Sequence, residues 1–426
     1  MKTNPVYIVD GLRTPFVKAA AKPNPLSASD LAVAATRPLL ARQPFEAENL
    51  DEMVVGCVAP AAHEVNIARF IALRISEKPT LKAWTVQRNC ASGLQAIDAA
   101  AINIASGRHN LTLAGGTEAM SRTPLILQDA MVDWLSELGS SKGWQAKIST
   151  LLKFRPGLIK PVISLLKALT DPTVNMSMGQ TAEKLAYLFD ITRVEMDKFA
   201  LRSHTLAYEA YKKRYLEEIT PLFDWQGNVI EFDNGVRQES SLEKLSKLKP
   251  VFDKPFGLVT AGNSSQVTDG AAFLILASEA AVQKYNLPVL GRIVKTSWAA
   301  LDPSIMGLGP VNAIASLLTE TGLSVPDIDY WEINEAFAAQ VLACMKAMKN
   351  ETYCRDVLGL SEPLGEIELD RLNVDGGAIA IGHPVGASGA RLVLHLLQVL
   401  ERNKAKRGIA SLCIGGGQGG AILVER

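Results

Sequence analysis

Short apolar runs alternate with alanine-rich amphipathic stretches over the first 120 residues. Val6–Val9, Glu52–Val58, Trp84–Val86 and Leu111–Ala114 predict strands, and Ser29–Leu40, Asn66–Leu73 and Gly93–Ile104 predict helices. Such alternation predicts an α/β sandwich on a mainly parallel sheet. Between residues 122 and 252 the pattern changes. Long polar helices dominate there, and Asn234-Gly235 marks a break. Thr192 with Glu195 forms a capping box that starts a helix through His204 toward Tyr215. Asp269-Gly270 predicts a turn, and Ala271–Ala277 a strand buried on both faces. From residue 291 the alternation resumes.

The pattern also repeats weakly. Ala91-Ser92-Gly93 opens an apolar helix that leads to a strand and then Gly115-Gly116. Ala387-Ser388-Gly389 opens another that leads to Ile409–Leu412 and then Gly415-Gly416-Gly417. Two related α/β halves are the natural reading. Glycine is concentrated in the second copy: 11 of the 32 glycines lie between Gly376 and Gly420. Glycine loses more conformational entropy on folding than any other residue, so such density points to close backbone approach or to turns that need positive φ.

Composition narrows the functional classes. The chain has 426 residues, 48% of them hydrophobic, with 44 basic and 44 acidic side chains. Zero net charge gives no global signal for nucleic acid. The five cysteines form no CxxC pair, which fits a reducing compartment. The N-terminal residues show no signal or transit pattern and no apolar run spans a membrane, so a cytoplasmic location is expected. One stretch departs from this balance. Residues 140–170 carry six basic side chains and no acidic one, interleaved with apolar residues such as Ile148, Leu151, Leu152 and Ile163. This basic amphipathic pattern suits a membrane surface, a partner subunit or packing on its own domain.

Four places carry candidate chemistry. Cys90 follows a strand and precedes a helix, where the helix dipole favours thiolate; a buried structural cysteine is the alternative. His383, between Gly382 and Pro384, could take a thiol's proton, or be an ordinary loop histidine. Cys413 ends a strand directly before a glycine turn whose N–H groups can form an oxyanion site. Asn334-Glu335 at another strand end either meets a substrate or caps the next helix. Metal-ligand spacing is missing, so no metal site is expected. Cys57, Cys344, Cys354, His63, His109 and His395 read as packing residues, and His204 as packed or surface-exposed.

Taken together, these motifs resemble the thiolase family. The matching segments are Asn89-Cys90-Ala-Ser-Gly93, Gly115-Gly-Thr-Glu-Ala-Met120, Met178-Gly-Gln-Thr-Ala-Glu183 and Leu258–Ser265. Gly307–Pro310, Asn334-Glu-Ala-Phe337, Gly382–Gly389 and Cys413–Gly417 follow in the same order, so the likeness spans nearly the whole chain.

The resemblance implies the thiolase fold, an αβαβα layered sandwich of two similar halves with an inserted, mostly helical loop domain. Residues 1–121 and 253–278 would form the first half, 122–252 the loop domain and 279–426 the second half. It implies a CoA-dependent acyltransferase that cleaves 3-ketoacyl-CoA to acetyl-CoA and a shortened acyl-CoA through an acyl-thioester on Cys90. His383 would be the base and Cys413 the acid/base at carbon. One oxyanion hole would use His383 with a water held by Asn334, the other the N–H groups of Cys90 and Gly415. Arg237, Ser265 and Met178 would contact CoA or line its thioester pocket. CoA is then a co-substrate, with no permanently bound cofactor. A short-chain acetoacetyl-CoA thiolase working toward synthesis is the alternative, and a non-catalytic acyl-CoA-binding protein a third reading. A homodimer or homotetramer is implied. The segment 140–170 resembles the loop of thiolases that join a multifunctional β-oxidation subunit.

Overall fold

The computed structural model describes residues 4–19, 24–224 and 226–426. Residues 1–3, included in the reading of the N-terminus, lie outside them.

The first half runs β1 (Val6–Arg13), α1 (Ala28–Ala41), β2 (Glu52–Gly56), α2 (Ile67–Ile75), β3 (Ala83–Val86), α3 (Ser92–Ala105) and β4 (Leu111–Ala119). A helical excursion follows: α4 (Asp129–Ser140), α5 (Trp144–Leu152), α6 (Ser164–Ala168), α7 (Met178–Leu188) and α8 (Arg193–Lys212). The chain then returns through β5 (Thr268–Ser278). The second half comprises β6 (Gly291–Ala300), α9 (Gly309–Thr321), β7 (Tyr330–Ile333), α10 (Ala338–Lys349), α11 (Val385–Arg402), β8 (Arg407–Ile414) and β9 (Gln418–Glu425).

Along the sheet the order is β7-β8-β9-β6-β1-β5-β4-β2-β3. The two halves repeat one topology. β1 pairs antiparallel with β5, β5 antiparallel with β4, and β4 parallel with β2. β6 likewise pairs antiparallel with β9, β9 antiparallel with β8, and β8 parallel with β7. Both first strands even break register at the same place, between Ile8 and Asp10 and between Ile293 and Lys295. The halves meet where Val6, Tyr7 and Ile8 face Ile293, Arg292 and Gly291.

The sheet is therefore mixed, not mainly parallel. Every residue of β5 is buried, so its apolar run is continuous. A strand covered on both faces has no alternation from which its direction could be read. Asp269-Gly270 is likewise no turn; both residues lie in β5, opposite Ala119 and Glu118. Gly115 and Gly116 lie inside β4, which runs five residues past the predicted Ala114.

Layering follows from which faces are apolar. Leu31, Leu39, Met53 and Ile67 form a core beneath α1 and α2. Ile97, Leu274, Leu392 and Leu412 form a central core around α3 and α11. Val311, Ile314, Val341 and Leu185 form a third core that joins α9 and α10 to α7 and α8. The result is five layers, helices alternating with half-sheets.

The repeated Ala-Ser-Gly motif explains how α3 and α11 cross. A Cβ on Gly93 would stand 2.7 Å from Gly386 O, and one on Gly389 would stand 2.5 Å from Leu94 N. Only a missing side chain at both positions lets the two helix starts touch backbone to backbone. That crossing brings the Cys90 turn against the His383 turn.

In the excursion, α8 is capped as expected: Thr192 Oγ1 accepts from Glu195 N at 3.2 Å, and the Glu195 carboxylate accepts from Thr192 N at 2.7 Å. The basic stretch 140–170 is not one helix. Pro156 and Pro161 break it into α5, a single 3₁₀ turn at Pro156–Ile159, and α6. Its apolar side chains stay outside: Trp144 is 71% exposed and Leu152 82%. Among the described residues no helix is long and apolar enough to cross a membrane.

Candidate active site

Cys90 sits on the turn from β3 to α3. Asn89 takes a left-handed φ of 43°. Ser92 closes the turn: its Oγ accepts from Arg88 N at 2.9 Å and donates to Asn89 O at 2.7 Å. Burial raises the Cys90 thiol above its ordinary value, against the opposing N–H groups of Gly415 and of Cys90 itself. This corrects the expectation of a dipole-stabilised thiolate. The helix begins two residues later, at Ser92, and desolvation outweighs its dipole. The resting group is a neutral thiol that needs a base.

His383 lies just before α11, which starts at Val385. The ring is buried, with Nδ1 2.6 Å from Ser388 Oγ. The Ser388 hydroxyl donates its proton to Pro384 O at 3.0 Å, so it accepts from the ring. That assigns the proton to Nδ1 and makes Nε2 an acceptor. Asn334 Nδ2 lies 3.3 Å from Nε2. Burial, then the charge of Arg391, lowers the imidazole to about 3. The ring is thus neutral near pH 7.

Asn334 is not a helix cap, because Phe337 occupies the N-cap of α10. Its N–H donates to Ser411 O at 2.9 Å, fixing it between β7 and β8. Its Oδ1 is buried and has no partner among the described residues. The neighbouring Glu335 holds the segment that leads to His383: its carboxylate accepts from Ser203 Oγ at 2.6 Å, Asn373 Nδ2 at 2.9 Å and Ile379 N at 3.2 Å.

Cys413 lies near the end of β8, opposite Gly419 across the β8–β9 hairpin. It is buried, and burial followed by the proximity of Cys90 pushes its thiol well above the ordinary value. Cys90 and Cys413 therefore share one site, although they are far apart in sequence. Gly415 joins them, its N–H directed at the Cys90 sulfur.

Cys90 and Gly415 open on a cavity of about 290 Å³, whose lining does not include Cys413, His383 or Asn334. Cys90, Gly415, Met178, Glu118 and Val58 form its inner wall, and Leu165 and Lys167–Pro172 its outer one. The end of the basic excursion therefore walls the reactive thiol. Met178 lines this cavity, its sulfur 3.3 Å from where a Cβ of Gly415 would stand. Arg237 lines a different cavity with Ser240, Lys244 and Leu248, and Ser265 lines neither. Ser265 N donates to Ala336 O at 2.9 Å, which ties its loop to the Asn334–Phe337 segment.

Two site residues escaped the sequence reading. Ser388, the partner of His383, stood in a small-residue motif that reads as mere packing. Glu118 accepts from Val58 N at 2.9 Å, Ala59 N at 3.0 Å and Gly386 N at 3.0 Å, and burial lifts it to about 7. Glu118 stood inside the Gly115–Met120 motif, and its signal was a carboxylate in a largely apolar strand. Two of the histidines read as packing differ from that. His63 has a 74% exposed side chain. His395 is buried between Glu218 at 3.0 Å and Asp375 at 3.2 Å, and although burial opposes its charge, the carboxylates raise it to about 10. His204, given no catalytic role, is buried and accepts Arg237 N at 3.1 Å. Among the described residues no group of His, Cys, Asp or Glu is placed to hold a metal.

Cys90 and Cys413 are thus two neighbouring protonated thiols, with the Gly415 backbone beside Cys90. The chain belongs to the thiolase family: the thiolase N-terminal domain matches residues 6–280 and the thiolase C-terminal domain residues 287–426. It is an acyltransferase that uses CoA as a co-substrate. It is 34% identical over 423 residues to a 3-ketoacyl-CoA thiolase of Yersinia pestis (strain Pestoides F), covering 99% of this chain and 96% of that one. Human mitochondrial 3-ketoacyl-CoA thiolase superposes with a TM-score of 0.85 at 35% identity, covering 100% of both chains. Acetyl-CoA acetyltransferase from Syntrophomonas wolfei gives 0.86 at 32% identity, again covering 100% of both.

Proposed function

We propose that this chain cleaves 3-ketoacyl-CoA thiolytically, as in fatty acid β-oxidation. The observation that carries this reading is the pair of neighbouring protonated thiols, Cys90 and Cys413, with Cys90 facing an apolar-lined cavity. The Cys90 proton passes to His383 Nε2, and the sulfur attacks the keto carbon. The resulting oxyanion is held by backbone N–H groups or by His383 with Asn334. The C2–C3 bond then breaks, leaving an acyl-thioester on Cys90 and the enolate of acetyl-CoA. Cys413 gives its proton to that carbanion. A second CoA thiol, deprotonated in turn, attacks the thioester and releases the shortened acyl-CoA. Two thiols are required because the first is acylated while the second acts as acid.

Residues 122–252 are proposed as the CoA-binding loop domain, with Arg237 toward the nucleotide end, Ser265 at pantetheine and Met178 at the thioester. The apolar side chains beside Cys90, including Val58, Met120, Leu165 and Leu169, favour an acyl group longer than acetyl. A thiolysis profile from acetoacetyl-CoA to 3-ketohexadecanoyl-CoA tests this. Negligible turnover of every substrate longer than acetoacetyl-CoA sinks the degradative reading and leaves the short-chain synthetic one.

A homodimer or homotetramer is proposed on the open edge of β3, where Trp84 is 37% exposed. The exposed Trp144, Leu151 and Leu152, set among Lys142, Lys147 and Lys153, support docking to a multifunctional β-oxidation subunit or a membrane surface. Gel filtration tests the first proposal. Co-sedimentation with anionic vesicles, with and without residues 140–170, tests the membrane arm of the second.

A further inference from the structure

The carboxylate of Glu118 holds separate segments of the two halves at once. It lies near the end of β4 and is 1% exposed. Its Oε1 accepts from Ala59 N at 3.0 Å. Its Oε2 accepts from Val58 N at 2.9 Å and from Gly386 N at 3.0 Å. Val58 and Ala59 follow β2 in the first half, whereas Gly386 lies in the first turn of α11 in the second.

The start of α11 needs such a group. A helix leaves its first N–H groups without intrahelical acceptors, and its N-terminus favours negative charge. Pro384 occupies the N-cap of α11 and supplies no side-chain acceptor. Ala387 N and Ser388 N turn back to Pro384 O, at 2.9 and 3.0 Å. Gly386 N reaches across to the other half instead. A Cβ on Gly386 would stand 2.4 Å from Thr117 O and 2.7 Å from Glu118 Oε2, so the helix start lies directly against β4. The contact also borders the reactive cavity. Val58, Ala59, Glu118 and Val385 line it together with Cys90, and His383 lies two residues before Val385.

We propose that Glu118 is a positioning residue, which caps α11 from the opposite half and so fixes the His383 turn against the Val58–Ala59 wall of the Cys90 cavity. The kinetic part of this inference rests on the acyl-transfer reading above. There, a displacement of about 1 Å between reacting groups is worth on the order of a hundredfold in rate. Glutamine cannot replace the carboxylate. It has one acceptor oxygen, so its NH₂ must face either the Ala59 N–H or those of Val58 and Gly386.

The test uses the full chain with Glu118→Gln and Glu118→Asp. Hydrogen–deuterium exchange read by mass spectrometry follows peptides spanning 57–60 and 385–389, with β9 as the internal reference. Thiolysis of acetoacetyl-CoA gives kcat and KM. Glu118→Gln is expected to speed exchange about tenfold in one or both of these peptides, always including 385–389, while β9 is unchanged. It should also lower kcat about 10- to 100-fold with KM within about twofold. Glu118→Asp, which keeps both oxygens on a shorter arm, gives a smaller change of the same kind. Where Glu118→Gln yields no folded protein, the aspartate variant is read against the same criteria. Wild-type exchange at 385–389 overturns the proposal, as does faster exchange there with wild-type kcat. A loss of kcat with an even rise in exchange over the whole chain overturns it too, because that is general destabilisation. Exchange reads the cap even if the wild-type chain turns over no thioester, which separates failure of the cap from failure of the reaction reading.

Discussion

The Cys90 turn and the His383 turn occupy the same place in two copies of one fold, yet they do different things. Each precedes an Ala-Ser-Gly helix start, at α3 and α11, and each has a serine that donates to a carbonyl in the preceding loop. In the first half that serine also accepts a backbone N–H, from Arg88, and so only staples the turn. In the second half the equivalent Ser388 accepts from an imidazole and sets its tautomer. The position matching Cys90 is Gly386, whose carbonyl packs 2.7 Å from where a Gly93 Cβ would be. One copy presents a thiol, the proposed nucleophile, and the other has no side chain there, so the helices can meet.

This contrast can be broken by substitution. Cys90→Ala is expected to reduce thiolysis by about 10⁴-fold or more and to abolish the acyl-enzyme, since Gly386 offers no reserve nucleophile. Stopped assays with intact-mass detection check this. Ser388→Ala should lower kcat about 10- to 100-fold with KM little changed, because the imidazole loses the partner that holds its proton on Nδ1. Ser92→Ala, the matching change in the first half, should instead cost about 1 kcal/mol of stability, read from a denaturant midpoint, with a much smaller effect on kcat. Equal kinetic effects at the two serines would erase the distinction. Gly93→Ala and Gly389→Ala should behave alike, each losing about 1–3 kcal/mol or more, because both place a methyl against partner backbone.

The smallest effect is on pH dependence. An imidazole depressed to about 3 stays neutral, and so remains a competent base, at any pH above that value. Lowering the pH from 8 to 5 should therefore show no loss of kcat/KM from protonation of His383. The raised Cys90 thiol has the opposite edge: without substrate, its alkylation grows with pH and has its midpoint above that of an ordinary thiol. An acid limb centred near 6 that disappears in a His383 variant would contradict the assigned environment.

Dense, ordered motifs single out Cys90, His383, Cys413, Asn334 and Gly415 in the chain, and the structure sets Cys90 beside Cys413 and Gly415, and His383 beside Asn334. What those motifs hide is mutual geometry. Sheet direction stayed hidden because β5 is apolar on both faces. The protonation state of Cys90 stayed hidden because the helix dipole is visible in sequence whereas burial is not. Asp171 could be found only in the folded chain, where it lines the cavity beside Cys90.

The central claim is a division of labour between two thiols, and acyl-site mapping in wild type and Cys413→Ala tests it most directly. Both proteins are incubated with acetyl-CoA, digested and read by mass spectrometry, and acetoacetyl-CoA formation is measured in parallel. The account predicts an acetyl group on Cys90 in both proteins, with carbon–carbon bond formation lost only in Cys413→Ala. Acetylation at Cys413 in wild type, or condensation at the wild-type rate without that thiol, would contradict it.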